Sequence, residues 1–449
     1  MLRVAFIVSL LLAFSAFALR GPLEALVLYL WLAYFRPETW AWTPFFRTVP
    51  LSSVAGVYLL LRVGLSTTRF RFDLRTFLLI CFLSLALISG LNSRWFDRST
   101  GMFMDVSKAF LITYLLALLT DSASKLRIVL QTIALSLGFE SAKQAWVQLL
   151  TSPGSQNDNP IVFLGDNNGV AVGMLMLVPM FIVLGRTTAW KPERWFYWFM
   201  AIGVLYRGLT TYSRGGFLAA IAMGLIYVVR SPKRVPAFAG AAVAAVVIML
   251  ALPQAYWDRM STVGGVEAQD GNIVYDESAA GRLYFWKVAI QMANDNLIGV
   301  GPGSFQEAYP TYDETDGRFG IKRAVHSAWF GTVAELGYGG LFVMLAAIAL
   351  AWRATARAQS LANRDQVPKE LGHIGAGLEA SLIAYVVGAS FLNMQYVEMF
   401  WHLIGLTMGL NWALQESLQA QSSPLGQPGQ PGQRLPMLRP NIGTVRRAS

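Results

Sequence analysis

The sequence predicts an all-α, polytopic integral membrane protein with about twelve transmembrane helices and one large, partly helical loop on the extracytoplasmic side. Three observations predict this. Hydrophobic residues make up 55% of the 449 residues and charged residues only 14%, against about 25% charged in ordinary soluble domains. Apolar runs recur along the chain, and runs of roughly 17–25 residues span a bilayer as helices, which satisfy their own backbone hydrogen bonds in lipid. Short basic connections alternate with less basic ones, the asymmetry that orients membrane helices.

The apolar segments fall near 3–19, 22–36, 50–64, 74–91, 105–119, 126–150, 165–185, 194–209, 214–230, 235–253, 327–352, 374–392 and 396–415. The first two are short and separated only by Arg20-Gly21-Pro22. One of them re-entrant or half-spanning brings the thirteen candidates to about twelve spans. Arg3 followed by an apolar stretch has the form of a signal peptide. A second apolar run begins at Leu23 with no soluble domain between, so a retained first membrane segment is the reading.

Basic connections at 66–75, 124–127, 186–194, 230–234 and 353–369 share one side, assigned to the cytoplasm. The loops near 36–50, 91–105, 151–165, 209–214 and 254–325 fall on the other. The organisation expected is 1–253, N-terminal transmembrane helices; 254–325, the large extracytoplasmic loop; 326–415, C-terminal transmembrane helices; and 416–449, a cytoplasmic tail. The tail is rich in Gly, Pro, Gln and Ser, a composition expected to be disordered. The net charge of +10 follows from this orientation and does not call for nucleic acid as a partner. The single cysteine, Cys81, excludes an intrachain disulfide and a cysteine-based metal cluster.

The large loop carries ten acidic and six basic residues, a net −4 within a chain of +10. Its length and charge suit a folded lid or small subdomain. Leu283, Trp286 and Ile290 stand at helical spacing, which predicts an amphipathic helix over 281–294.

His326 is one of three histidines, and it joins this polar loop to an apolar helix. A histidine moves protons near neutral pH; in such a place it either caps the helix or does chemistry. Arg214 follows Ser213, a candidate N-cap, in the stretch Thr210–Phe217. A cation in the first turn of a helix is disfavoured by the macrodipole, which points to an anionic partner and, for an arginine fork, to phosphate. Arg282, in the predicted loop helix, either projects toward the membrane surface or pairs with Asp276 or Glu277. Arg207, at the end of its segment, could reinforce a positive site. Lys143 either pairs with Glu140, three residues away, or lines a headgroup cavity with Asn167 and Tyr212; intramembrane charges face a cavity or a partner. The glycine-rich stretch 299–305 lacks the lysine and the strand–turn–helix setting of a phosphate-binding loop, and is expected to be a tight turn. Paired DxD acids, HExxH, GxSxG and a Walker sequence are all missing from the chain. No metal and no cofactor is therefore expected.

His326 and Ser327 are followed by nine residues and then by Gly337-Tyr338-Gly339-Gly340. This pattern resembles the histidine motif of ligases in the O-antigen ligase and polymerase superfamily of bacterial envelope proteins. The helix number, the large loop before the last three helices, and arginines at Arg214 and Arg282 resemble that family too. A neighbouring branch, the O-glycosylation ligases associated with exosortase systems, is also similar. The resemblance implies a multi-pass protein of the bacterial inner membrane with its active site facing the periplasm. It implies a donor glycan on undecaprenyl pyrophosphate and transfer to lipid A–core oligosaccharide in lipopolysaccharide biosynthesis. By the same resemblance His326 would be the catalytic base, with Arg214, Arg282 and Arg207 on the pyrophosphate. Polymerisation onto a second lipid-linked glycan and transfer to a protein hydroxyl are the alternatives within the class. A lipid-glycan transporter is the alternative outside it, but the internal repeat common in transporters is not found.

Overall fold

The computed structural model describes residues 2–41, 44–231, 233–261, 266–267, 273–274 and 277–422. The N-terminal half begins with α1 (Leu2–Ala18), α2 (Pro22–Phe35), the short α3 (Pro44–Thr48), α4 (Leu51–Gly64), α5 (Leu74–Leu91) and α6 (Phe96–Leu119). It continues through α7 (Ala123–Thr151), α8 (Asn167–Thr187), α9 (Lys191–Leu209), α10 (Arg214–Arg230) and α11 (Arg234–Ala251). The large loop holds α12 (Gln254–Ser261), α13 (Glu277–Asp295) and α14 (Phe305–Tyr312), and three long helices follow: α15 (Ala328–Asn363), α16 (Lys369–Ala389) and α17 (Glu398–Ser422). Between α12 and α13, Val266–Glu267 pairs antiparallel with Ile273–Val274.

Each of the thirteen apolar segments coincides with a helix. Among the described residues six helices, α5, α6, α8, α11, α15 and α16, are long and apolar enough to cross a membrane, and α1 and α4 are apolar but shorter. The chain is a multi-pass helical membrane protein. The other long helices carry polar groups: Glu140 and Lys143 on α7, Glu193 and Arg207 on α9, His402 and Asn411 on α17. The tail expected from 416 begins instead as helix, because α17 continues to Ser422; residues 423–449 lie outside the described part.

The bundle is built around α8. Asp166 caps it, its carboxylate accepting from the Gly169 N–H at 2.9 Å, and from Gly169 to Gly185 every residue but Ile182 is buried. A Cβ at Gly377 would overlap Val183, so α16 crosses α8 with the backbones close, as small residues permit between membrane helices. On its other side α16 carries Glu379, whose side chain is 1% exposed. The carboxylate accepts two hydrogen bonds from Arg230 of α10, at 2.5 and 3.1 Å, and one from Gln359 of α15 at 2.6 Å. A buried charge paired in this way ties three helices together. By contrast, α11 has no buried residue and stands at the periphery.

Helix α15 is broken at Gly337, which adopts φ 69° and ψ −178°. Only glycine takes this conformation readily, and a Cβ there would overlap the Leu297 carbonyl oxygen. The break strands carbonyls that a strap from the large loop then satisfies. Val300 N–H donates to Ala334 O at 2.9 Å and Gly301 N–H to Glu335 O at 3.2 Å. The buried Glu335 carboxylate accepts from Phe305 N–H at 3.1 Å and from Gln395 at 3.3 Å. The glycine-rich turn is thus the plug of a broken helix, with Gly299, Gly301 and Gly303 all at positive φ.

The predicted loop helix exists as α13, but its packed face differs from the expected one. Phe285, Val288, Ala289 and Met292 are buried and pack on Tyr309, Val325 and Ala334. Trp286 stacks on Phe330 with ring centroids 5.0 Å apart, whereas Leu283 is exposed. Both stripes have helical spacing, so periodicity alone could not choose between them. The outcome is a small core that seats the loop on the first half of α15, next to His326.

Candidate active site

Five helix ends and one loop converge on a cavity of about 460 Å³ lined by Arg214, Arg259, Arg282, Arg323 and His326. Arg214 opens α10 after Ser213, which caps the helix through the Gly216 N–H at 3.2 Å. Tyr212, just before the cap, has φ 58°. Its carbonyl accepts from Arg259 Nε of α12 at 3.0 Å, which fixes that guanidinium at the cavity. Arg282 lies on the first turns of α13, next to Gly281. Arg323 is held by its hydrogen bond to Phe319 O. Asn168 contributes from the start of α8, Phe391 and Leu392 from the end of α16, and Phe285 and Phe319 from the loop.

His326 itself has φ 51°, a left-handed conformation uncommon outside glycine. Ser327 follows as the residue before α15, and its carbonyl accepts the first helical bond, from Gly331 at 2.9 Å. Burial is the main effect holding the imidazole below its ordinary pKa. Arg282 and Arg323 push the same way, and Asp166 opposes them. The ring is therefore neutral at neutral pH and free to accept a proton.

The cavity gathers cationic forks suited to phosphate oxygens beside a proton acceptor, at the N-terminus of α10, where backbone N–H groups also favour an anion. Among the described residues no group of three or more His, Cys, Asp or Glu side chains is arranged to hold a metal ion.

Of the residues singled out from sequence, His326, Arg214 and Arg282 come together here. Arg207 does not. It is fully buried and donates to Asn157 O at 3.2 Å and Asn159 O at 2.6 Å, beneath the segment joining α7 to α8. Its place at the end of α9 suggested the cavity, but its side chain meets main-chain carbonyls first. Lys143 pairs with Glu140 at 2.5 Å and borders a different cleft. Asn167 donates to Asp158 at 2.5 Å, while its neighbour Asn168 faces the cavity. Tyr212 is buried, with its hydroxyl on Gly154 O at 2.9 Å; only its carbonyl serves the site, through Arg259. Lys143, Asn167 and Tyr212 therefore do not share one cavity. For Arg282, the expected alternative partners lie outside what is described: Asp276 entirely, Glu277 in its side chain.

Arg259 and Arg323 were visible in the sequence only as two of the loop's six bases. Nothing in their spacing set them apart, because they reach the cavity from opposite ends of the loop.

Fold and cavity together define a multi-pass helical membrane protein with an arginine-lined cavity beside a histidine. Residues 198–345 match the family model described as O-antigen ligase, a stretch that holds α10, all of the large loop, His326 and the break at Gly337. This match supports membership of the chain in the O-antigen ligase/polymerase superfamily, whose members are glycosyltransferase-like enzymes. Residues 1–187 match a family of unknown function, DUF5935. No curated protein matches the chain.

Proposed function

We propose that the protein is an inverting, metal-independent glycosyltransferase: an O-antigen ligase that moves a glycan from undecaprenyl pyrophosphate to lipid A–core oligosaccharide. The observation that carries this reading is the single cavity shared by His326 and the four arginines Arg214, Arg259, Arg282 and Arg323. About twelve spans, the bacterial inner membrane, a periplasmic cavity and a periplasmic loop at 254–325 belong to the same proposal.

In this reading the arginines hold the donor's pyrophosphate. His326, neutral in the resting site, takes the proton of the acceptor hydroxyl as general base. The acceptor oxygen bonds to the anomeric carbon as the bond from that carbon to the phosphate oxygen breaks. The electron pair leaves with the lipid pyrophosphate, whose growing charge the guanidinium groups stabilise. A single displacement inverts the anomeric configuration. Afterwards the imidazolium returns its proton to solvent.

The test is reconstitution of the purified chain with undecaprenyl-pyrophosphate glycan and lipid A–core. Product formed in the presence of a chelator and without nucleotide is expected. Transfer only to a second lipid-linked glycan would make the protein a polymerase, and transfer only to a protein hydroxyl a protein ligase. Transfer that stops on chelation would overturn the metal-independent mechanism.

A further inference from the structure

Beside the arginine cavity lies a second depression of quite different chemistry. It is a cleft of about 530 Å³ between the end of α7 and the segment leading to α8. Gln144, Gln148, Gln156, Asn157 and Asn159 line it together with Lys143, and Val147 is its one apolar wall residue. Side-chain amides both donate and accept, which suits hydroxyl groups rather than phosphate.

The cleft is built rather than merely solvated. The fully buried Arg207 holds the backbone at Asn157 and Asn159 from below. Asn157 N–H donates to Thr210 O at 2.8 Å, and Asn157 Nδ2 donates to Gln148 Oε1 at 2.9 Å. Gly154 is held from both sides, its N–H on Tyr206 at 2.7 Å and its carbonyl on Tyr212 at 2.9 Å. Ordering an exposed polar segment costs conformational entropy of about 1–2 kcal/mol per residue. Here the buried Arg207 contributes to that ordering through its two carbonyl contacts.

The two depressions are linked through the first residues of α8. Asp158 lines the cleft and accepts from Asn167 at 2.5 Å, and the next residue, Asn168, lines the arginine cavity.

We infer that this cleft is a glycan subsite that takes uncharged sugar residues of a substrate whose pyrophosphate end occupies the arginine cavity. The inference rests on the glycosyl-transfer reading. The sugars come either from the donor's chain or from the acceptor, with the same hydroxyl chemistry.

The experiment compares wild type with Gln144→Ala and Gln156→Ala in the reconstituted full chain. Two donors are used: undecaprenyl pyrophosphate bearing one N-acetylhexosamine, and the same lipid bearing an oligosaccharide. A roughly 10-fold rise in KM for the oligosaccharide donor is expected, with kcat unchanged and the one-sugar donor unaffected. A rise in acceptor KM instead assigns the sugars to the acceptor. Unchanged KM for both substrates overturns the subsite.

A wild-type chain that transfers nothing would count against the proposed function alone. Binding then decides the subsite, through a diazirine-bearing neutral oligosaccharide cross-linked in membranes. Label within 143–159, lost in Gln156→Ala, supports the subsite; its absence there overturns it.

Discussion

Arg207 and Arg214 stand seven residues apart on either side of one turn, yet their surroundings share almost nothing. Arg207 ends α9 and spends its guanidinium on two main-chain carbonyls in a buried setting. Arg214 begins α10 and borders a cavity with three further arginines and a histidine. Both had the sequence marks of phosphate ligands: basic residues at the same end of adjacent apolar helices. What separates them is the nearest acceptor. An arginine beneath a looped segment meets carbonyls that need donors; an arginine at the start of α10 borders the cavity instead.

Substitutions can break this comparison. The largest effect is expected at the histidine that shares Arg214's cavity. His326→Ala should lower kcat by about 10²–10⁴-fold, the usual worth of a general base, with donor KM little changed. Wild-type turnover in that variant would remove His326 from the mechanism.

Arg214→Ala should cost about 10²–10³-fold in kcat/KM, as loss of a group that stabilises developing charge does, while thermal stability stays near wild type. Arg207→Ala should do the reverse. Losing two charge-assisted hydrogen bonds costs about 3 kcal/mol, seen as a lower Tm and as proteolysis in the 151–166 segment, with KM for a one-sugar donor unchanged. If the two variants behave alike, the distinction between a cavity arginine and a scaffold arginine fails.

Gly337→Ala should destabilise by about 1–3 kcal/mol from backbone strain, and by more if the strap at Leu297 is displaced. A thermal melt equal to wild type would show that the break tolerates a side chain.

The smallest effect concerns pH. Because the folded site holds His326 below the usual histidine pKa, the acid limb of kcat/KM should lie below about 6.5, the ordinary histidine value. Activity is present above that limb and lost as pH falls through it. Asp166→Asn, which keeps an N-cap for α8, removes a group that raises the imidazole pKa and should move the limb lower. Arg323→Gln removes one that lowers it and should move the limb higher. Shifts of the opposite sign would contradict the electrostatics of the cavity.

Much of the architecture was legible because it follows from local rules. Apolar runs became helices at every position read, and Ser213, read as a candidate N-cap, caps α10 as short polar residues before such runs do. His326 stood out by rarity and by its junction, whereas Gly337 was read only as part of a motif, and the break in α15 at that residue emerged from the structure. The face of α13 was not legible, because Leu283, Trp286 and Ile290 share a period with Phe285, Val288, Ala289 and Met292. Which stripe is buried depends on what it meets.

The sequence by itself determined where the helices run and which residue could move a proton, since hydropathy, capping and titration are properties of short stretches. Tertiary structure alone decided that Arg259 and Arg323 join Arg214 and Arg282, that Arg207 turns away beneath the polar cleft, and that a strap satisfies the carbonyls freed at Gly337. Each of these is a contact between segments far apart in the chain. Such contacts depend on which polar group lies nearest once the helices have packed, and spacing along the sequence does not encode that distance.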